Sequence, residues 1–379
     1  MIYLDNGATT YPKPRAVTEA INRAIREFGA NPGRGGHKMA IRASEELYKC
    51  RESLAEYYNI EDLEKIVFTN NCTTALNTVI KGVLKPNDHV VISCLEHNAV
   101  VRPLEKLKDI GVTYTKAVIF PGDDDKTLDS FRNSINNKTR LVICTHASNV
   151  FGFKLPIERI TALCHQYDIL VCADVAQTGG VFNIDLGENK VDYICGAGHK
   201  SFYGPMGTGF LIINTDVIPD SLTEGGTGSN SLMKTQPEIL PDKFESGTPN
   251  LPGIAGLRAG VEFVKQKSSN RILNHEIRLI KKLYNGLQNN KKIILYTDAP
   301  NEKHFAPVLS FNVRNFDSEQ VSAYLNKNFG IATRSGLHCC PLAHEFMQTE
   351  DVGTVRIVPS VFTTDAQINT VLYAISKIS

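Results

Sequence analysis

No run of apolar residues in the chain is long enough to span a bilayer, which argues against a membrane-spanning protein. Net charge is almost absent, since 41 Lys and Arg against 40 Asp and Glu leave a formal +1. That balance gives no footprint for nucleic acid or for an anionic membrane surface. The first residues, MIYLDNGATT, lack a basic segment followed by an apolar run, so no signal peptide is expected. The nine cysteines form no Cys-x-x-Cys pair, and their number is odd. Free thiols in a reducing cytoplasm fit this better than a disulfide framework, and no metal site is expected. Several lie in apolar runs (LVICTH, ILVCADV, DYICGAG), where Cys serves as a small buried hydrophobe. Internal repeats and low-complexity linkers are also missing.

What is present is length and alternation. The 379 residues exceed one ordinary core. From about residue 15 to 250, short β-branched runs (KIVFT, DHVVIS, VTYTKAVI, TRLVICTH, DILVCADV, VDYICGAG, GTGFLIIN) alternate with helical stretches. This pattern predicts an α/β domain with a largely parallel, buried sheet. From residue 251 the helices lengthen, and strand-like pieces return at PVLSFNV and GTVRIVP, which predicts a smaller α+β domain over 251–379. Residues 1–14 are expected to pack near the site or on the small domain.

In such sheets ligands sit at the carboxyl ends of the strands. The residues there are Cys72 and Thr73 opening a helix, then His97, Asn149, Asp174 with Gln177, and His199 with Lys200. Lys200 stands in a Gly-rich turn, GAGHKSFYGPMGTG, where an amine removed from water has a lowered pKa and can form a Schiff base. Asp174 ends an apolar strand, and a buried carboxylate calls for a cationic partner such as a pyridinium nitrogen. An Asp with a Schiff-base Lys is the recurring signature of pyridoxal phosphate enzymes.

These motifs, with YLDNGATT, SNVFG, ADVAQ, FESGTPN and RSGLHCCPLAH, resemble the cysteine desulfurases of the class V aminotransferase fold (fold type I pyridoxal phosphate enzymes) over nearly the whole chain. The Arg-x-Gly-x-His-Cys form resembles the group II branch, which includes selenocysteine lyases. The resemblance implies that Lys200 carries pyridoxal 5'-phosphate as a Schiff base and shuttles the substrate Cα proton. Asp174 would keep the pyridine nitrogen protonated, and His97 would stack on the ring. Asn149 and Gln177 would bond its oxygen side. Main-chain N–H groups of Cys72 and Thr73 would cradle the phosphate at a helix start, joined by His199 and by Thr248 across a homodimer interface. Arg356 would fork onto the substrate carboxylate, with Asn149 and Arg334 nearby; a surface Arg on an edge strand is the plainer alternative. Ala197 departs from the family pattern, which usually offers a phosphate-binding hydroxyl there. The loss of one charge-assisted hydrogen bond is generally worth roughly 1.5–3 kcal/mol.

The stretch RSGLHCCP aligns Cys339, rather than Cys340, with the desulfurase thiol. Arg334 and His338 are the nearby groups expected to favour its ionised form. The implied reaction takes L-cysteine, or L-selenocysteine, to alanine. A sulfur-acceptor protein or small thiol would discharge the persulfide on Cys339. Selenocysteine lyase or another class V reaction, and a sulfur-relay scaffold with little turnover, stand as the alternatives.

Overall fold

The computed structural model describes residues 1–33 and 35–378. In chain order the first half runs β1 (Ile2–Tyr3), α1 (Arg15–Glu27), α2 (Lys38–Tyr58), β2 (Ile66–Thr69), α3 (Cys72–Val83), β3 (His89–Ser93), α4 (Asn98–Leu107), β4 (Thr113–Ala117), α5 (Asp124–Ser134) and β5 (Thr139–Thr145). It continues with α6 (Ile157–His165), β6 (Leu170–Asp174), α7 (Leu186–Asn189), β7 (Tyr193–Ala197) and β8 (Gly209–Ile213). Then come α8 (Leu251–Lys267), α9 (Ser269–Leu287), β9 (Ile293–Leu295), β10 (Leu309–Val313), α10 (Ser318–Phe329), β11 (Ile331–Ala332), α11 (Pro341–Phe346), β12 (Val355–Ile357) and α12 (Asp365–Ser376).

Seven strands form the main sheet in the order β2-β8-β7-β6-β5-β3-β4. Strands β3, β6 and β7 are buried at every position, as both faces are covered by helices. Pairing is parallel from β4 through β3, β5 and β6 to β7. Strand β8 alone runs against its neighbours, antiparallel to both β7 and β2. Its sequence, GFLII, is as apolar as the parallel strands, so its direction was not legible from composition.

A second, three-stranded antiparallel sheet has the order β12-β10-β9. Helix α8 begins at Leu251, where the small domain is expected to start, yet its apolar side (Leu251, Ile254, Leu257, Val261) joins the core of helices α1 and α2 rather than that of the small sheet. The separate apolar cluster of the small sheet takes Leu279, Ile280 and Leu283 from the later turns of α9, together with α10 and α12. Strand β1 pairs in parallel with β11, so the N-terminal residues lie against the C-terminal part of the chain. Among the described residues, no helix is long and apolar enough to cross a membrane.

Candidate active site

The topology brings the carboxyl ends of β7, β6, β5 and β3 to one edge of the sheet, and α3 starts beside them. One cavity there is lined by Lys200, Asp174, Gln177, Asn149, His97 and His199, together with Cys72, Thr73 and Ala197. The turn after β7 is tightened by Tyr203 N–H donating to Lys200 O and Gly204 N–H donating to Gly198 O. Among the described residues, the Lys200 amine has no hydrogen-bond partner. Burial lowers its pKa from the usual lysine value, and the Asp174 charge opposes that shift.

Asp174 has one oxygen engaged and one open. Its Oδ1 accepts from Ala176 N–H at 2.8 Å and from the Cys72 thiol at 3.4 Å. Oδ2 has no protein donor among the described residues. Helix α3 is capped by Asn71, whose side chain accepts from Thr74 N–H at 2.9 Å. The N–H groups of Cys72 and Thr73, in the first turn, are left without a protein acceptor among the described residues. His199 Nδ1 is buried and unpartnered as well. Burial, with the Lys200 and Lys13 charges, pulls the His199 pKa down to about 4. A free carboxylate oxygen, a desolvated amine and unpaired donors at a helix start are the set that a pyridinium, a carbonyl carbon and a phosphate would fill. The residues present therefore fit pyridoxal phosphate, and Ala197 adds no hydroxyl to them.

His97 caps α4, its Nδ1 accepting from Ala99 N–H at 3.0 Å. An accepting Nδ1 puts the proton of the neutral ring on Nε2. Burial lowers its pKa, against the pull of Asp174. Gln177 Nε2 donates to Gly7 O at 3.0 Å, and Asn149 Nδ2 donates to His338 O at 2.9 Å. The Asn149 amide is thus committed to the turn that precedes Cys339. Thr248 is exposed and lies outside this cavity, in a second one shared with Thr69, Gly207 and Asn250.

Arg356 sits on the edge strand β12, yet it is 1% exposed, so the surface-arginine alternative does not hold. Its guanidinium donates to Asp5 Oδ1 at 2.9 Å and to Asn149 O at 2.8 Å. Arg334 is half-buried and pairs its backbone with that of Arg356. Its guanidinium has no ion-pair partner among the described residues.

Cys339 is exposed and Cys340 is buried. His338 and Cys339 both hold positive φ, 52° and 57°, a conformation that costs non-glycine residues and concentrates at functional turns. The turn is pinned on both sides: Asn98 N–H donates to Cys339 O at 2.9 Å, and the Cys340 thiol donates toward the carbonyls of Leu95 and Glu96 at 3.2 and 3.3 Å. The expectation that His338 helps ionise Cys339 is overturned. His338 Nε2 faces Thr354, and burial, reinforced by the Arg356 charge, drops its pKa to about 2. It is a neutral ring with its second nitrogen sealed. Sequence reasoning passed over Asp5, Asn98 and Thr10. Asp5 and Thr10 stood in the YLDNGATT motif and Asn98 at a strand end beside His97, but none was given a role.

The profile of the aminotransferase class-V family matches residues 2–371. The chain belongs to that family. A probable cysteine desulfurase of Methanothermobacter thermautotrophicus is 32% identical over 375 residues, covering 97% of this chain and 92% of that protein. A probable cysteine desulfurase of Synechocystis is 30% identical, covering 99% and 90%. The apo structure of a cysteine desulfurase from Thermococcus onnurineus superposes with a TM-score of 0.89 at 28% identity, covering 99% of this chain and 93% of the other. The fold is therefore the fold type I architecture expected from the sequence.

Proposed function

We propose that this chain is a pyridoxal phosphate-dependent cysteine desulfurase that converts L-cysteine to L-alanine and takes the sulfur as a persulfide on Cys339. The observation that carries the reading is one juxtaposition. Lys200 and Asp174 share a cavity with Asn149 and His97, and Asn149 together with Asn98, the residue after His97, hydrogen-bonds the turn that exposes Cys339.

Lys200 would hold the cofactor, Asp174 Oδ2 its ring nitrogen, and Cys72 N–H, Thr73 N–H and His199 its phosphate. Bound there, the cofactor supplies an electron sink for the charge left when the substrate loses its Cα proton. The lowered proton affinity of Lys200 suits it to take that proton and return it. His97, on the cavity wall, would stack on the cofactor ring. Arg356, with Arg334, would bind the substrate carboxylate. The Cys339 thiolate attacks the substrate sulfur; a new S–S bond forms, the C–S bond breaks, and its electron pair returns to Cβ, which is then protonated. An acceptor protein or a small thiol would remove the terminal sulfur.

Leu232 and Met233 are exposed, Leu232 by 99%, on the segment between β8 and α8 that also carries the exposed Thr248. Exposed apolar side chains on the segment that carries Thr248 support a homodimer in which Thr248 serves the partner's site. The test is to incubate the cofactor-loaded protein with L-cysteine, and separately with L-selenocysteine, and quantify alanine together with sulfide or selenide. Alanine with stoichiometric persulfide on Cys339 is expected from L-cysteine. Alanine from selenocysteine alone would replace the reading by a lyase.

A further inference from the structure

The N-terminal segment lies along one wall of the site. Asp5 is held by the β-bridge to Val358, and Leu4 N–H donates to Ala332 O at 2.9 Å just before it. Its carboxylate meets one nitrogen of Arg356, Nη2, while Asn149 O takes Nη1. Gly7 backs the same guanidinium: a Cβ there would come within 3.0 Å of Arg356 Cζ. Gly7 O also anchors Gln177.

A guanidinium carries five N–H groups in a planar fork. Two are committed to Asp5 and Asn149, and Nε is buried without a partner. Only the remaining hydrogens can be aimed at a ligand. The Arg356 side chain is 2% exposed against 22% for Asp5, so the guanidinium is sealed from solvent while the carboxylate stays partly open. Burial lowers the Arg356 pKa, and the Asp5 charge is the largest opposing influence. Arg334, across the β-bridge, adds a second positive charge. Two guanidinium groups with one carboxylate leave a single net positive charge, matched to one α-carboxylate.

We propose that Asp5 is a positioning residue: it fixes the fork of Arg356 and so sets the affinity for ligands that carry an α-carboxylate. The inference rests on the reading above that Arg356 meets the substrate carboxylate. A residue that only held the fold together would affect all ligands alike. Asp5 should affect carboxylate-bearing ligands alone.

The experiment titrates the cofactor-loaded enzyme with L-alanine and with ethylamine, which is alanine without its carboxylate, and follows the visible absorption band. In Asp5→Ala the Kd for L-alanine should rise at least about tenfold, since a fork no longer fixed by its carboxylate must be ordered by the ligand itself. The Kd for ethylamine should change little, even where loss of the ion pair lowers the melting temperature. Asp5→Asn keeps an acceptor in place and should recover part of the loss. Gly7→Ala, which pushes on the guanidinium without touching its charges, should give the same selective loss; it also serves if Asp5→Ala does not fold. Equal losses for both ligands, or an unchanged L-alanine Kd in the Asp5 and Gly7 variants, would overturn the proposal. Arg356→Gln separates the two levels of argument. If it leaves L-alanine binding intact, the carboxylate reading of Arg356 is wrong. If it abolishes binding while the Asp5 variants do not, only the role of Asp5 fails.

Discussion

Lys200 and Cys339 stand on two turns built by opposite means. The Lys200 turn follows a fully buried strand and is tied by local backbone bonds and by the N-terminal segment, with Thr10 Oγ1 donating to Lys200 O at 3.0 Å and Lys13 Nζ to His199 O at 2.7 Å. Its reactive group is desolvated. The Cys339 turn has two consecutive residues at positive φ and is held by bonds from distant parts of the large sheet. Its reactive group is exposed. In the proposed reaction, dehydration suits an amine that must lose its proton, whereas exposure suits a thiol that takes sulfur and hands it on. Neither turn does the other's work.

The sharpest way to break the comparison is at Lys200. Lys200→Ala should lose turnover by at least about 10³-fold, because no second amine lines the cavity to hold the cofactor. A borohydride-reducible bond to the cofactor that survived in this variant would show that a different lysine is used. Asp174→Ala should fold and lose about 10²–10³-fold in alanine formation, since the ring nitrogen loses its counter-charge. Near-normal rates would point to another group.

Cys339→Ser tests the exposed turn. Cofactor binding and the absorption change on adding L-cysteine should persist, because neither needs the thiol. Sulfur transfer should fall by at least about 10²-fold, because a hydroxyl near neutral pH is a far poorer nucleophile than a thiolate. Peptide mass mapping after one turnover is the measurement, and persulfide found at another cysteine would sink the assignment.

The two turns were not equally legible. Lys200, Asp174 and His97 stand at strand ends, and alternating apolar runs mark strand ends in any sequence of this class. The Arg356–Asp5 pair joins residues 351 positions apart, and no local pattern reports it. The neutral state of His338 follows from its burial beneath Thr354 and Arg356, again a product of tertiary packing. Motif spacing favoured Cys339, but only the fold shows that its neighbour is sealed away.

A smaller effect concerns stability, and it lies off both turns. Burial raises Glu276 to about 8, where it accepts from Tyr203 O–H at 3.1 Å, and it raises Glu96, just before His97, to about 8. Both carboxyls stay protonated in the folded chain up to about pH 8, while the unfolded chain ionises them above about 4.5. The folded state then binds more protons than the unfolded one. Their contribution is fully present below about pH 4.5 and is lost as pH rises through about 8, at up to about 1.4 kcal/mol per unit for each group. Glu276→Gln should make the stability fall between pH 5 and pH 8 shallower than in the unmodified chain, read from urea midpoints. An unchanged slope would mean that Glu276 is ionised in the fold.

The smallest effect is expected one residue from the largest thiol effect. Cys340 is 0% exposed, and burial raises its pKa above the usual thiol value. Its S–H points to the Leu95 and Glu96 carbonyls rather than to the cavity. A serine hydroxyl can donate to the same carbonyls with little change in volume. Cys340→Ser should therefore alter alanine formation by less than about twofold and leave persulfide mapping to Cys339, within the usual range for a substitution that keeps its hydrogen bond. The same geometry predicts one fast thiol among the nine, because the other eight are buried. Brief alkylation of the folded chain should label Cys339 alone, and Cys339→Ser should remove the fast phase while Cys340→Ser keeps it. If Cys340→Ser instead abolished the fast phase or the turnover, the exposed turn would have the wrong cysteine at its tip, and the contrast between the two turns would have to be redrawn around Cys340.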